Sequence, residues 1–241
     1  MKILAHLLEA RQAEYIIALL GLFGFIVFWR VLNGPGIETE ALRDLVRRSA
    51  ERIAGFLVPP DVMFHPGHAW ARAEDLDTVT VGMDDFAAKL LGSADSISLP
   101  KPGSRVKQGA LGWGFKTDCR VIHMLSPVEG EVLAVNDAVA DSLAAAFEDP
   151  YGKGWLFKVR SKNLTSNLKN MVPKRKVGEW FEDIRDKLAS KGLAPASAPL
   201  YADGGEPIRG MAKAVDPEGW DELAGEFLLT RPPRKLDHIQ R

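Results

Sequence analysis

The spacing of apolar and polar positions changes several times along this chain, and each change predicts an element. Tyr15–Leu32 is apolar apart from Arg30 and is about long enough to cross a bilayer core. Tyr15 and Trp29 stand where interfacial aromatics belong, and Arg30 is close enough to the end to snorkel. Asn33-Gly34-Pro35-Gly36 breaks the run. A second helix is predicted from a Thr39 cap to about Phe56. It carries Leu42, Leu45, Val46, Ser49, Ile53 and Ala54 on one face and arginines on the other. Val58-Pro59-Pro60 ends it and opens a region with a different rhythm.

That region centres on Gly112–Val135. Trp113 and Phe115 alternate with small or polar neighbours. A polar knot follows, Lys116-Thr117-Asp118-Cys119-Arg120, and the apolar pattern resumes at Val121, Ile122, Met124 and Leu125. Two apolar runs around a polar, Asp-containing knot predict a hairpin with an exposed tip. Pro127–Gly130 reads as a turn and Glu131–Val135 as the next strand.

The flanking segments are read from the same signals. Asp84-Asp85 opens a short helix, where carboxylates complement the helix dipole. Ala138–Phe147 is predicted as a short helix and Trp155–Val159 as a closing strand. Beyond the basic linker Pro173–Lys176, a helix near Val177–Lys191 carries an apolar stripe of Trp180, Phe181, Ile184 and Leu188. Gly192–Pro217 is rich in Ala, Pro and Gly and reads as irregular. Glu218–Leu229 predicts one more helix with Trp220, Leu223 and Phe227, ahead of a basic tail at Arg231–Lys235.

Composition narrows the function classes. The chain has 241 residues, more than one small β-domain needs. A net charge of −1 gives no bulk attraction to nucleic acid, and none is expected as a partner. The single cysteine, Cys119, rules out an internal disulfide and fits a reducing compartment. No Gly-rich phosphate loop and no Ser/His/Asp spacing is present, so no enzymatic activity is expected. His65 and His68 form the one pair that could suggest a metal, and no second ligand pair stands near them in sequence. His123 falls in a strand beside the hairpin tip, where packing is the ordinary role.

Five blocks in order carry a resemblance. They are His65-Pro66-Gly67-His68-Ala69-Trp70, Val79–Ala87, Leu99–Gly103, Ser126–Asn136 (SPVEGEVLAVN) and Glu148–Leu156 (EDPYGKGWL). Together they resemble the glycine cleavage system H-protein, a relative of the lipoyl and biotinyl carrier domains. The resemblance implies a mainly β fold, a flattened barrel-sandwich hybrid, over 58–172. Residues 1–14 form a short tail, 15–32 a transmembrane helix, 33–57 an amphipathic juxtamembrane helix, and 173–241 a helical and irregular extension.

The resemblance also exposes a departure. The family carries its lipoyl group on the lysine of an E-S-V-K-A segment at the hairpin tip. Counted back from Pro127 without a gap, that lysine falls on Cys119 and the glutamate on Lys116. Lipoylation forms an amide with a lysine amine, which a thiol cannot replace, so no lipoate or other cofactor is expected in register.

Three functions follow. The first is a membrane-tethered, non-lipoylated H-protein-like module, a scaffold or accessory subunit bound to proteins of a membrane-associated complex. The second is a lipoyl carrier of glycine cleavage using Lys116, which requires a three-residue shift of the turn against the strand pattern. The third is a thiol carrier or redox role at Cys119, where Lys116 and Arg120 favour the thiolate and Asp118 opposes it. Lys2 and Arg11 precede the apolar run, whereas Arg30, Arg43, Arg47, Arg48 and Arg52 follow it. The positive-inside rule therefore predicts a single-pass protein of the cytoplasmic membrane, its large domain facing the cytoplasm.

Overall fold

The computed structural model describes residues 21–25, 50–191, 200–201 and 206–231. The chain divides into two units, Met1–Arg48 and Ser49–Arg241. In the first, residues 21–25 are helical, with Leu22, Phe23 and Phe25 exposed. The rest of the Tyr15–Leu32 run lies outside the described residues. Among the described residues no helix is long and apolar enough to cross a membrane.

The second unit begins with a small β-hairpin where a helix is predicted. Glu51–Ile53 (β1) and Phe56–Val58 (β2) pair antiparallel, so the helix predicted to reach Phe56 does not extend through this segment. Ala54 and Gly55 both take positive φ, 52° and 87°, and so form a two-residue turn. The helical spacing of Ile53 and Ala54 was therefore coincidental. Phe56, fully buried, is drawn instead into a ring cluster with Phe86 and Phe181.

The body is antiparallel β. A six-stranded sheet runs in the order β3 (Met63–His65), β4 (Ala69–Ala73), β5 (Thr78–Met83), β11 (Phe157–Arg160), β10 (Gly130–Val135), β7 (Arg105–Val106). A three-stranded sheet runs β6 (Ser96–Ser98), β8 (Leu111–Thr117), β9 (Arg120–Leu125). Trp113 of β8 meets Phe157 of β11 edge-on at 5.6 Å, which joins the apolar faces of the two sheets. One glycine in this core is required by contact. Gly82 is registered opposite Trp70, and a Cβ there would come within 2.6 Å of the indole.

Helices close the edges of the body. α1 (Asp85–Leu91) is capped by Asp84, whose Oδ1 accepts from the Ala87 amide at 2.8 Å. The helix predicted over Ala138–Phe147 is two short ones, α2 (Asp137–Asp141) and α3 (Ala144–Glu148), because the chain turns extended at Ser142. The closing strand starts at Phe157, two residues later than predicted. After that strand, α4 covers Leu164–Asn167. α5 covers Val177–Lys191 and buries Phe181, Ile184 and Leu188 as the stripe predicts.

The extension is more ordered than its composition suggests. α6 (Met211–Val215) forms inside the segment predicted to be irregular, and α7 (Trp220–Phe227) follows it. Glu226 of α7 is 4% exposed and accepts from Lys187 and Lys191 of α5, both at 3.0 Å. Burial opposes ionisation of that carboxyl, but the two lysines outweigh it and hold its pKa below the ordinary value.

Candidate functional site

The β8–β9 hairpin carries the residues the sequence singled out. Its register pairs Lys116 with Val121 and Thr117 with Arg120, which leaves Asp118 and Cys119 as a two-residue loop. Both loop residues have positive φ, 49° and 63°, the geometry of a type I′ turn. Asp tolerates this region because its short polar side chain bonds locally; a cysteine there is uncommon. Cys119 is exposed at the tip. Lys116 is also exposed, but it lies within β8 and is paired on both sides, with Ser96 of β6 and Val121 of β9.

The tip is braced on one flank by the chain that leads into β6. The Asp118 amide donates to Asp95 Oδ2 at 3.1 Å, and the Asp95 amide donates to the Lys116 carbonyl at 2.8 Å. Thr117, buried, donates its hydroxyl to the Ser93 carbonyl at 3.2 Å. On the other flank Lys213 Nζ lies 2.5 Å from Asp118 Oδ2. Arg120 Nη1 donates to the Glu218 carbonyl at 2.8 Å and to the Asp221 carboxylate. Burial opposes ionisation of Asp221, but Arg120 and Arg231 hold its carboxyl below the ordinary value. The two charges next to Cys119 thus already have partners elsewhere in the fold.

The histidines are brought together for packing. His68 Nδ1 lies 2.7 Å from Asp84 Oδ2, and both side chains are buried. The His68 ring stacks on Trp180 at 4.8 Å. His65 Nδ1 accepts from the Gly67 amide at 3.1 Å, while burial and the neighbouring His68 lower its pKa. Asp85 accepts from the Leu57 amide at 2.8 Å and from Lys89 at 3.0 Å. The Tyr151 hydroxyl accepts from the Asp85 amide, and burial raises its pKa well above the ordinary value, helped by Asp84 and Asp85. Among the described residues, no three His, Cys, Asp or Glu side chains are grouped to hold a metal ion. His123, exposed in β9, faces Gly114 across the hairpin.

Sequence reasoning missed Lys213, Asp221 and Arg231. Arg120 and Asp221 are 101 residues apart and Asp118 and Lys213 are 95 apart, so no local signal marks the contacts.

A family model described as glycine cleavage H-protein matches residues 62–184. A glycine cleavage system H protein of Salmonella arizonae is 33% identical over 133 residues, covering 52% of this chain and 97% of that protein. One from Rubrobacter xylanophilus is 40% identical over 103 residues, covering 43% of this chain and 81% of its own. A crystal structure of a glycine cleavage system H protein from Mycobacterium marinum is 28% identical, with a TM-score of 0.41, over 44% of this chain and 87% of that one.

Proposed function

This chain belongs to the glycine cleavage H-protein family, and from that premise we propose that it works as a carrier-type module of a glycine-cleavage-like assembly, offering its β8–β9 tip to partner proteins with Cys119 unmodified. The observation that carries the reading is the two-residue loop Asp118-Cys119. It sets a thiol at the point of the hairpin, where the family resemblance assigns the lipoyl lysine. A module of this kind docks through its family surface and serves as an accessory or scaffold subunit. Crosslinking in native cells tests it. Recovery of the chain joined to other components of a glycine cleavage system supports docking, and recovery only as a free monomer contradicts it.

The family likeness favours a second reading more directly: a lipoyl carrier in glycine cleavage. Lys116 is the one lysine on the hairpin, and its exposed side chain is open to acylation. Against it stands the position of Lys116 within a strand paired on both sides, three residues before the thiol at the tip. A lipoylated peptide containing Lys116 decides for this reading.

Membrane tethering is proposed on the Tyr15–Leu32 run, with the large domain on the cytoplasmic side. The exposed Leu22, Phe23 and Phe25 are apolar surface that a bilayer would cover. Protease added outside right-side-out vesicles leaves Ser49–Arg241 intact on this reading; its digestion contradicts the orientation.

A further inference from the structure

The α6–α7 segment lies beyond residue 184, where the family match ends, and it closes on the hairpin tip. It is attached in two ways that differ in kind. Its apolar side docks on α1. Phe227 meets Phe86 at 5.6 Å, the Gly210 amide donates to the Lys89 carbonyl at 2.7 Å, and Met211, Ala212, Ala224 and Leu228 are buried. Its polar side grips the tip. Lys213 holds Asp118, while Arg120 is held by Asp221 and the Glu218 carbonyl. Arg231 holds the same Asp221 carboxylate at 3.0 Å. The Trp220 ring lies 4.9 Å from Lys213 Nζ and 5.8 Å from the Arg120 guanidinium, so both cations also meet its face.

The grip takes the two charged residues on either side of Cys119, one of each sign. A tip that acts by entering a partner needs this surface, and here the chain's own extension occupies it. The docked face is dry. The grip is wetter at one contact than at the other: Asp118 is 63% exposed and Lys213 37%, whereas Asp221 is 14% exposed and Arg120 42%. The exposed Lys213–Asp118 pair is weak and screened by salt, so the grip can loosen there first while the apolar side stays docked. Beside the grip a small cleft of about 100 Å³ lies between β9 and α7, lined by Val121, His123, Asp221 and Arg231 among others.

We propose that α6–α7 is an intramolecular latch on the carrier hairpin. It is closed in this structure. It opens when a partner protein offers a carboxylate to Arg120 and a cationic side chain to Asp118 in exchange for Asp221 and Lys213. The latch goes beyond the carrier reading and does not depend on what Cys119 or Lys116 carries.

Hydrogen exchange of the full chain tests it, read on the peptide spanning the tip. Losing either grip contact predicts about two- to fivefold faster tip exchange, in Lys213→Glu and in Asp221→Asn, with β3–β5 unchanged. Lys213→Arg, which keeps the cation and leaves the turn untouched, retains slow exchange. Unaltered tip exchange in both charge-removing variants overturns the latch, as does a Lys213→Arg chain that exchanges as fast as Lys213→Glu. If Asp221→Asn loosens the whole domain, a salt titration of the unmodified chain makes the same test. Tip exchange rises with ionic strength ahead of β3–β5, and a flat response overturns the proposal. Any of these failures leaves the family assignment and the partner crosslinking untouched, because exchange reads the grip alone.

Discussion

His68 and Asp84 meet through Nδ1 and Oδ2 at 2.7 Å, and neither side chain reaches solvent. The pair also joins two strand ends, since the Asp84 amide donates to the His68 carbonyl at 3.0 Å. The other carboxylate oxygen caps α1 through Ala87. One residue therefore satisfies a buried imidazole and starts the helix on which α6–α7 docks. Asp84→Ala removes both functions. It is expected to cost about 3 kcal/mol or more, since a buried polar partner is orphaned and a cap is lost. Asp84→Asn, which keeps an oxygen for the cap, costs less. Urea unfolding checks the order, with the midpoint falling at unchanged slope.

His65 gives the domain a pH response. Burial and the adjacent His68 lower its pKa from the ordinary 6.5. In the unfolded chain the imidazole takes up its proton near 6.5, and in the folded chain only at lower pH. Over that window the unfolded chain binds more protons, so stability is complete above 6.5 and falls as pH drops toward the folded value. Denaturation midpoints measured from about pH 7.5 to 5.5 should decline, and His65→Gln should flatten the decline. A decline of the same size in His65→Gln contradicts this assignment.

Gly92 sits where α1 meets the extension. Its φ is +80°, and an added Cβ would come within 2.5 Å of the Gly210 amide nitrogen. That nitrogen is the donor to Lys89 that fastens the start of α6. Gly92→Ala is expected to cost about 1–3 kcal/mol through backbone strain and collision. The damage should concentrate in 206–231, seen as faster proteolysis of the extension while β3–β5 hold.

How far such relationships can be read from sequence depends on their separation along the chain. The hairpin and its tip were legible because Trp113, Phe115, Ile122 and Met124 alternate with small or polar residues and all four are buried. The stripe on α5 was legible for the same reason at helical spacing. β1–β2 was not, because Ile53 and Ala54 happened to continue a helical pattern, and the turn depends on positive φ at Ala54 and Gly55. α6 was hidden by the Ala, Pro and Gly around its five residues. The contacts of Asp118 and Arg120 join residues about a hundred apart in sequence, and only the closed fold brings them together.

Cys119 holds φ at +63°, where a side chain with a Cβ is strained. Cys119→Gly relieves that strain but adds unfolded-state entropy. The net change is expected within about 1 kcal/mol and tends toward stabilisation. Thermal unfolding checks it. A loss well above that size would mean that the thiol makes a structural contribution beyond the turn.

What the hairpin tip carries separates the unmodified module from the lipoyl carrier. Intact mass of the full chain purified from its native cells, followed by peptide mapping of Leu111–Leu125, measures this directly. The account predicts the unmodified mass, with Lys116 and Cys119 both recovered bare. A mass increased by one lipoyl group and mapped to Lys116 would contradict it and establish the chain as a lipoyl carrier.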